Sequence, residues 1–205
     1  MTPSENETPS GQRAKIVGLG GSFAPVSKSL VALRVAAAAA EEQGADVRIF
    51  EVRELDLPFY ESGREPTPQA SVFADAVYEA NGLLLSSPMY HGTISGSFKN
   101  ALDWLELLGR RDPPYLTNKI VGLISTASGV QGLQAVNTLE YVVRALRGWA
   151  IPLVIPINQR QAFDGEGRIV DERVDAQLRA LGREVAAMCL VRRPPPYEPE
   201  IDDGD

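Results

Sequence analysis

The sequence has few of the residues that would cross-link a small protein or anchor it in a membrane. Its single cysteine, Cys189, cannot form an internal disulfide bond, and a zinc or redox site built on paired cysteines is excluded. We expect Cys189 to be a small apolar side chain in the interior. No run of about 18 consecutive apolar residues is present, which argues against a membrane-spanning helix. Residues 1–13 contain no apolar signal core, and these absences together predict a protein of the reducing cytoplasm.

Clustered positive charge is also missing. The chain carries 20 Lys and Arg residues against 27 Asp and Glu residues, a net charge of −7. Five of the acids lie in the last eight residues, so the rest of the chain is close to neutral. Without a basic patch, no nucleic-acid partner is expected. We interpret residues 1–13 and the proline-rich, acidic residues 192–205 as disordered tails that flank one domain, residues 14–191.

Short apolar segments alternate with helical segments along this domain. Strands are predicted at residues 14–20, 45–50, 82–87, 119–125 and 150–155, with Pro88 ending the third. Helices are predicted at residues 27–43, 69–80, 95–108, 133–147 and 171–191. Apolar strands without polar alternation are typical of a parallel sheet that is buried on both faces. The pattern therefore predicts an α/β fold, a doubly wound five-stranded parallel sheet in a three-layer sandwich, with ligands bound beyond the carboxyl ends of the strands.

The loop after the first strand has the composition of an anion site. Residues 20–29 read GGSFAPVSKS, so two glycines allow a tight turn, and three serines and a lysine lie near the start of a helix. A helix N-terminus attracts anions, and a phosphate monoester suits it. The loop matches neither the P-loop GxxxxGK[ST] nor the dinucleotide motif GxGxxG, because Phe23 stands where the last glycine belongs. A turn that merely caps a helix would use the same residues.

Two further loops follow the third and fourth strands. Residues 86–104 are polar and aromatic and contain His91, the sole histidine, while residues 125–132 are rich in serine and glycine. A Ser-His-Asp hydrolase would use His91 as its base, but no GxSxG motif exists. Taken alone, His91 is more typical of a cap or of the surface, and the third loop could equally be a flexible connector. Because parallel strands end at one edge of the sheet, we expect the three loops to converge.

Two of these loops carry motifs of a known family. Residues 21–27 resemble the phosphate loop GSxRxxS, and residues 88–104 resemble the signature PxYxxxxxGxxKNALDW almost position for position. On these motifs the chain is similar, over about residues 14–190, to the NAD(P)H-dependent FMN reductases of flavodoxin-like fold. Relatives of that family include quinone, azo-dye and chromate reductases.

The resemblance implies an FMN site at the three loops. The phosphate would lie on the serines of the first loop, the ring along the second and its far edge at the third. The implied site residues are Ser22, Ala24, Ser27, Lys28, Ser29, Pro88, Met89, Tyr90, His91, Gly92, Ser125, Thr126, Ala127, Ser128 and Gly129. Ala24 stands where the family often has arginine, which removes a charge-assisted bond worth about 1.5–3 kcal/mol, and Lys28 is the candidate substitute. No catalytic side chain and no metal are expected, because the flavin carries the chemistry.

The resemblance also implies a reaction and an assembly. Hydride would pass from NADPH or NADH to FMN, and the electrons would then pass to a flavin, quinone or other small acceptor at the same site, with ping-pong kinetics. A homodimer or homotetramer is expected. The proline-rich residues 58–68 would then be a subunit contact, a lid or only a surface loop. Lys99 and Asp103 would be structural or lie at a subunit contact.

Three other functions compete with this interpretation. A flavodoxin-like electron carrier would bind FMN without oxidising NADPH, although the near-neutral domain argues against the acidic surface of such carriers. A signalling receiver domain needs clustered acids at its strand ends, where this chain has glycine, serine and threonine. A sugar- or nucleotide-phosphate binding protein would use only the first loop and would lack flavin colour.

Overall fold

Five parallel strands form a central sheet in the computed structural model, which describes residues 13–191. The strands are β1 (Lys15–Gly20), β2 (Asp46–Glu51), β3 (Gly82–Tyr90), β5 (Ile120–Ala127) and β6 (Trp149–Asn158). They lie in the order β2-β1-β3-β5-β6, and a two-residue strand, β4 (Thr93–Ile94), pairs antiparallel with the end of β3. This order is that of flavodoxin-like doubly wound sheets. The predicted fold is confirmed, whereas the predicted tails, apart from Arg13, lie outside the described residues.

Helices cover both faces of the sheet. They are α1 (Lys28–Glu42), α2 (Val52–Leu55), α3 (Pro68–Glu79), α4 (Gly96–Asp103), α5 (Gly132–Ala145), α6 (Gln159–Ala162) and α7 (Glu172–Val191), with a 3-10 helix, Trp104–Leu108, after α4. Helices α1 and α7 pack on one face and α3, α4 and α5 on the other, so the sheet separates two apolar cores. Cys189 lies buried in the α1–α7 core, as predicted, and burial raises the pKa of its thiol to about 12. No helix within residues 13–191 is long and apolar enough to cross a membrane.

Helix α1 begins at a serine cap and packs through small residues. The Ser27 hydroxyl accepts a hydrogen bond from the backbone N–H of Leu30 at 3.4 Å, so Ser27, and not Ser29, is the residue that caps the helix. The alanines of α1 allow a close approach by α7, since a Cβ atom on Gly182 would lie 1.9 Å from the carbonyl oxygen of Ala36. The backbones of the two helices are therefore in direct contact at this point.

Several predicted element boundaries are wrong. Strand β3 continues through Pro88, because β1 ends opposite Ser86 and leaves Pro88 with a neighbouring strand on one side only, where proline is tolerated. The predicted helix at residues 95–108 is α4 followed by a tighter 3-10 turn. Strand β6 is an edge strand and runs past the predicted residue 155 to Asn158. The short elements α2, β4 and α6 were not predicted.

Replacing Gly182 by alanine tests the contact between α1 and α7. In an ordinary helix interior this change gains about 1 kcal/mol of stability from helix propensity. Here the added methyl group overlaps the backbone of Ala36, so we expect a loss of about 3 kcal/mol in the free energy of unfolding, measured in urea. Gly165→Ala is the control, because nothing lies within 4 Å of its added Cβ atom. A Gly182→Ala variant as stable as the unmodified protein would contradict the direct contact.

Candidate functional site

Three serine hydroxyls gather between β1 and the first turn of α1. The Ser22 hydroxyl donates to the Ser27 oxygen at 3.3 Å, and the hydroxyls of Ser27 and Ser29 are 3.2 Å apart. Gly21 makes the turn with a φ of +104°, a conformation that side-chain-bearing residues rarely adopt. The backbone N–H of Ala24 donates to the Ser22 hydroxyl at 3.3 Å. The structure therefore brings the predicted serines together at a helix N-terminus, where the helix dipole favours an anion.

Lys28 lies at the same helix end but extends toward another loop. Its ammonium is 5.6 Å from the centroid of the Phe163 ring, which follows β6. The same β6 loop also packs on Val26, since a Cβ atom on Gly167 would lie 2.4 Å from the Val26 side chain. The predicted substitute for the missing arginine thus contacts an aromatic ring beside the serine cluster.

Sequence reasoning missed a different cation at this loop. Arg53, in α2, hydrogen-bonds through its guanidinium to the carbonyl oxygens of Phe23 and Ala24, the second at 3.3 Å. The guanidinium carbon also lies 5.6 Å from the centroid of the Phe23 ring. No sequence motif signals this contact, because Arg53 is 29 residues from Ala24 and belongs to a helix of four residues.

The second predicted segment forms a tight hairpin. Tyr90 pairs with Thr93 across His91 and Gly92, which have φ values of +50° and +87°. Positive φ at both central residues is the requirement of a type I′ turn. The hairpin contacts α5, because the hydroxyls of Thr93 and Thr138 are 3.0 Å apart.

The side chains of this segment differ in exposure. Pro88 is buried in the sheet, and Met89 packs partly against the core on the α5 side. Tyr90 is half exposed, and His91 and Gly92 lie at the surface. The segment therefore offers an open aromatic and backbone surface at the carboxyl edge of the sheet.

The third predicted loop begins later than expected. Residues 125–127 belong to β5, which stays paired with β3 as far as Thr126 opposite Pro88, so the loop itself starts at the exposed Ser128. Gly129 follows and is partly exposed. The Ser125 hydroxyl is already satisfied, since it donates to the Gly132 carbonyl oxygen at 2.6 Å.

Thr126 has an unsatisfied hydroxyl. Its Oγ1 atom is buried and has no hydrogen-bond partner, and it is the one such side-chain atom among residues 13–191. Side chains alternate along a strand, so Thr126 lies on the α1 face together with Ser86, whose hydroxyl donates to the Ser29 carbonyl oxygen at 2.7 Å. A buried hydroxyl without a hydrogen-bond partner destabilises the folded protein by about 1–3 kcal/mol. Such a hydroxyl is often explained by a polar group of a bound ligand that completes the hydrogen bond. The donor and acceptor set therefore fits a phosphate-bearing ligand such as FMN.

Helix α4 and the 3-10 helix that follows it hold the proline-rich residues 58–68 in place. Asn100 and Trp104 both donate side-chain hydrogen bonds to the Pro58 carbonyl oxygen at 2.9 Å. Asn100 also accepts from the Tyr60 backbone N–H at 2.8 Å, and the rings of Tyr60 and Trp104 meet edge to face at 5.5 Å. These contacts explain two signature residues that the sequence alone left without a role.

Lys99 and Asp103, also in this helix, form an ion pair one turn apart. This contact fits the structural role that was one of the two predicted for them. Both side chains are partly exposed, so the pair contributes little to stability.

A family model described as NADPH-dependent FMN reductase matches residues 14–161. The chain belongs to this family. An FMN reductase (NADPH) from Pseudomonas putida is 30% identical over 189 residues, which cover 91% of this chain and 93% of that protein. Both the predicted family and the predicted flavodoxin-like fold are confirmed.

Other family relatives and solved structures are similar over shorter stretches or at lower identity. An FMN-dependent NADPH-azoreductase from Staphylococcus haemolyticus is 30% identical over 122 residues, 52% of this chain and 62% of that protein. An oxidoreductase structure from Corynebacterium diphtheriae superposes with a TM-score of 0.72 at 17% identity, covering 89% of this chain and all of that one. At 17% identity, the similarity to that structure shows a shared fold and nothing further.

A Thr126→Val variant tests the predicted contact between Thr126 and FMN. Removing an unpartnered buried hydroxyl should raise the free energy of unfolding of the FMN-free protein by about 1 kcal/mol. The same change should weaken FMN binding about fivefold, measured by quenching of flavin fluorescence. The control is Ser125→Ala, which loses the bond to Gly132 and should be destabilised. Unchanged FMN affinity in Thr126→Val would contradict the contact.

Proposed function

We propose that the three loops at the carboxyl edge of the sheet bind FMN, and that the protein is an oxidoreductase that uses NADPH to reduce it. The observation that carries the proposal is the serine cluster at the start of α1, with the unpartnered Thr126 hydroxyl on the same face of the sheet. In this proposal the phosphate lies on Ser22, Ser27 and Ser29, the ring along residues 88–92 and its far edge at residues 125–129. Membership of the NADPH-dependent FMN reductase family supports the choice of cofactor and reaction.

Bound FMN would supply a ring that accepts hydride and passes electrons on. The chain's own residues bind and orient it. The N-terminus of α1 favours a phosphate dianion, and the Ala24 N–H holds the Ser22 hydroxyl in place. The turn at His91 and Gly92 fixes the backbone beside the ring, and the exposure of Tyr90 leaves one side of that surface open to a second molecule. No acid–base side chain is required for hydride transfer.

We further propose NADPH as the donor and a small flavin, quinone or other flat molecule as the acceptor. The donor follows the named relatives, an FMN reductase (NADPH) and an FMN-dependent NADPH-azoreductase. An FMN-binding electron carrier without NADPH oxidation is the alternative, and family membership favours the reductase over it. The reducing cytoplasm is the proposed location, which the single, buried Cys189 supports and cell fractionation tests.

An anaerobic absorbance spectrum is the direct test of this function. We expect flavin bands near about 370 and 450 nm in protein loaded with FMN, and we expect NADPH to bleach them. Adding a quinone should then reoxidise the flavin and restore the bands. Flavin bands that neither NADPH nor NADH bleaches would overturn the reductase and leave the electron carrier. Failure to bind added FMN would overturn both and leave a protein that binds another phosphate compound.

A homodimer or homotetramer is the proposed assembly. Phe59 supports it, because this apolar residue is 84% exposed while the segment around it is held rigidly by Asn100 and Trp104. Light scattering of the FMN-loaded protein at micromolar concentration should give two or four times the chain mass of 22.2 kDa. A Phe59→Ser change should lower that mass, and a monomer in the unmodified protein would contradict the proposal.

A further inference from the structure

The loop that carries the serine cluster, residues 20–29, contains one cation, Lys28, and no arginine. Ala24 occupies the position where the phosphate-loop pattern GSxRxxS has arginine. Lys28 contacts the ring of Phe163, as described above. A phosphate monoester carries close to two negative charges at neutral pH, and hydroxyl and amide groups alone leave that charge uncompensated.

Arg53 approaches the loop from α2 and binds its outer side. Its guanidinium hydrogen-bonds to the carbonyl oxygens of Phe23 and Ala24 and stacks on the Phe23 ring. Among residues 13–191 no carboxylate forms an ion pair with Arg53, so its charge is not neutralised there. The loop therefore gains a positive charge from α2, whereas the Glu51 carboxylate approaches it at Gly21, 3.8 Å from a Cβ atom placed there.

The contact also sets the orientation of one peptide group. A trans peptide points its C=O and its N–H in opposite directions. The carbonyl of Phe23 faces Arg53, and across the same peptide plane the N–H of Ala24 faces the hydroxyl of Ser22. Without Arg53, only the 3.3 Å hydrogen bond from the Ala24 N–H to the Ser22 hydroxyl would keep this peptide from rotating and turning its carbonyl oxygen, which repels anions, toward the serines.

We propose that Arg53 is the positioning residue of the phosphate site and replaces the arginine that the loop lacks at Ala24. It acts through the Phe23–Ala24 peptide, whose N–H it directs at the Ser22 hydroxyl, and through its positive charge. The inference rests on the proposed binding of the FMN phosphate to this loop. Arg53 should therefore increase the affinity for ligands that carry the phosphate and not for ligands that lack it.

The test compares FMN with riboflavin, which lacks the phosphate, in titrations of flavin-free protein. The unmodified protein should prefer FMN. Arg53→Ala should weaken FMN binding about tenfold, which corresponds to about 1.4 kcal/mol. It should leave riboflavin binding within about twofold, because riboflavin has no phosphate for this loop to bind. Arg53→Lys keeps the positive charge but lacks the planar guanidinium with its several N–H donors, so we expect an intermediate loss of FMN affinity.

Two further variants make the result specific. Arg48→Ala is the matched control, because Arg48 also stacks on an aromatic ring, at 4.6 Å from the centroid of Phe50, but makes no hydrogen bond to the phosphate loop. It should leave both affinities within about twofold, as expected for a surface charge away from the ligand. Adding Ala24→Arg to the Arg53→Ala variant restores a guanidinium to the loop and should recover FMN affinity without changing riboflavin affinity.

Each other outcome decides against part of the argument. Equal losses of FMN and riboflavin affinity in Arg53→Ala would make Arg53 a general support of the loop and overturn the proposal. Unchanged FMN affinity in both Arg53 variants would also overturn it. If the unmodified protein binds FMN no better than riboflavin, the phosphate assignment itself fails, and this result is distinct from a failure of Arg53 alone. Thermal unfolding of each flavin-free variant verifies that it is folded before titration.

Discussion

Close packing around α1 determines the geometry of the phosphate loop. The helix meets α7 backbone to backbone at Gly182, and it lies so near β1 that a Cβ atom on Gly20 would come within 2.6 Å of the Leu33 side chain. Held on two sides at this distance, α1 cannot slide or tilt without steric overlap. Its first turn is also tied to β3, because the Ser86 hydroxyl donates to the Ser29 carbonyl oxygen at 2.7 Å. The serine cluster therefore takes its position from the core beneath it.

The unequal lengths of the strands give the site its shape. Strand β1 ends opposite Ser86, whereas β3 and β5 remain paired as far as Pro88 and Thr126. The two longer strands thus extend past the start of the phosphate loop, at the point between β1 and β3 where the strand order reverses. A ligand at this point meets a helix N-terminus at one end and strand backbone, followed by the hairpin, along its length. That arrangement suits a flat ring joined by a chain to a phosphate.

The sequence predicts the parts of this site that depend on local chemistry. Ser27 is recognisable as a cap because it precedes a helical run, and the buried strands are recognisable because they lack polar alternation. Features that depend on a neighbour in space are not recognisable in this way. In the sequence, Pro88 indicates the end of a strand. The strand can continue through Pro88 only because β1 ends earlier, opposite Ser86, so that no strand on that side needs a hydrogen bond from residue 88. Arg53 likewise has no signal, since its contact with Phe23 follows from the adjacency of β1 and β2.

The carboxyl edge also carries unfavourable features that folding alone does not explain. Thr126 buries a hydroxyl without a partner, and His91 adopts a left-handed backbone conformation that disfavours most side chains by about 1–2 kcal/mol. Both lie at the carboxyl ends of the paired strands β3 and β5. A ligand that binds only the folded chain stabilises it in proportion to the logarithm of its concentration over its dissociation constant. If FMN binds at this edge as proposed, its binding would offset these local costs in the folded protein.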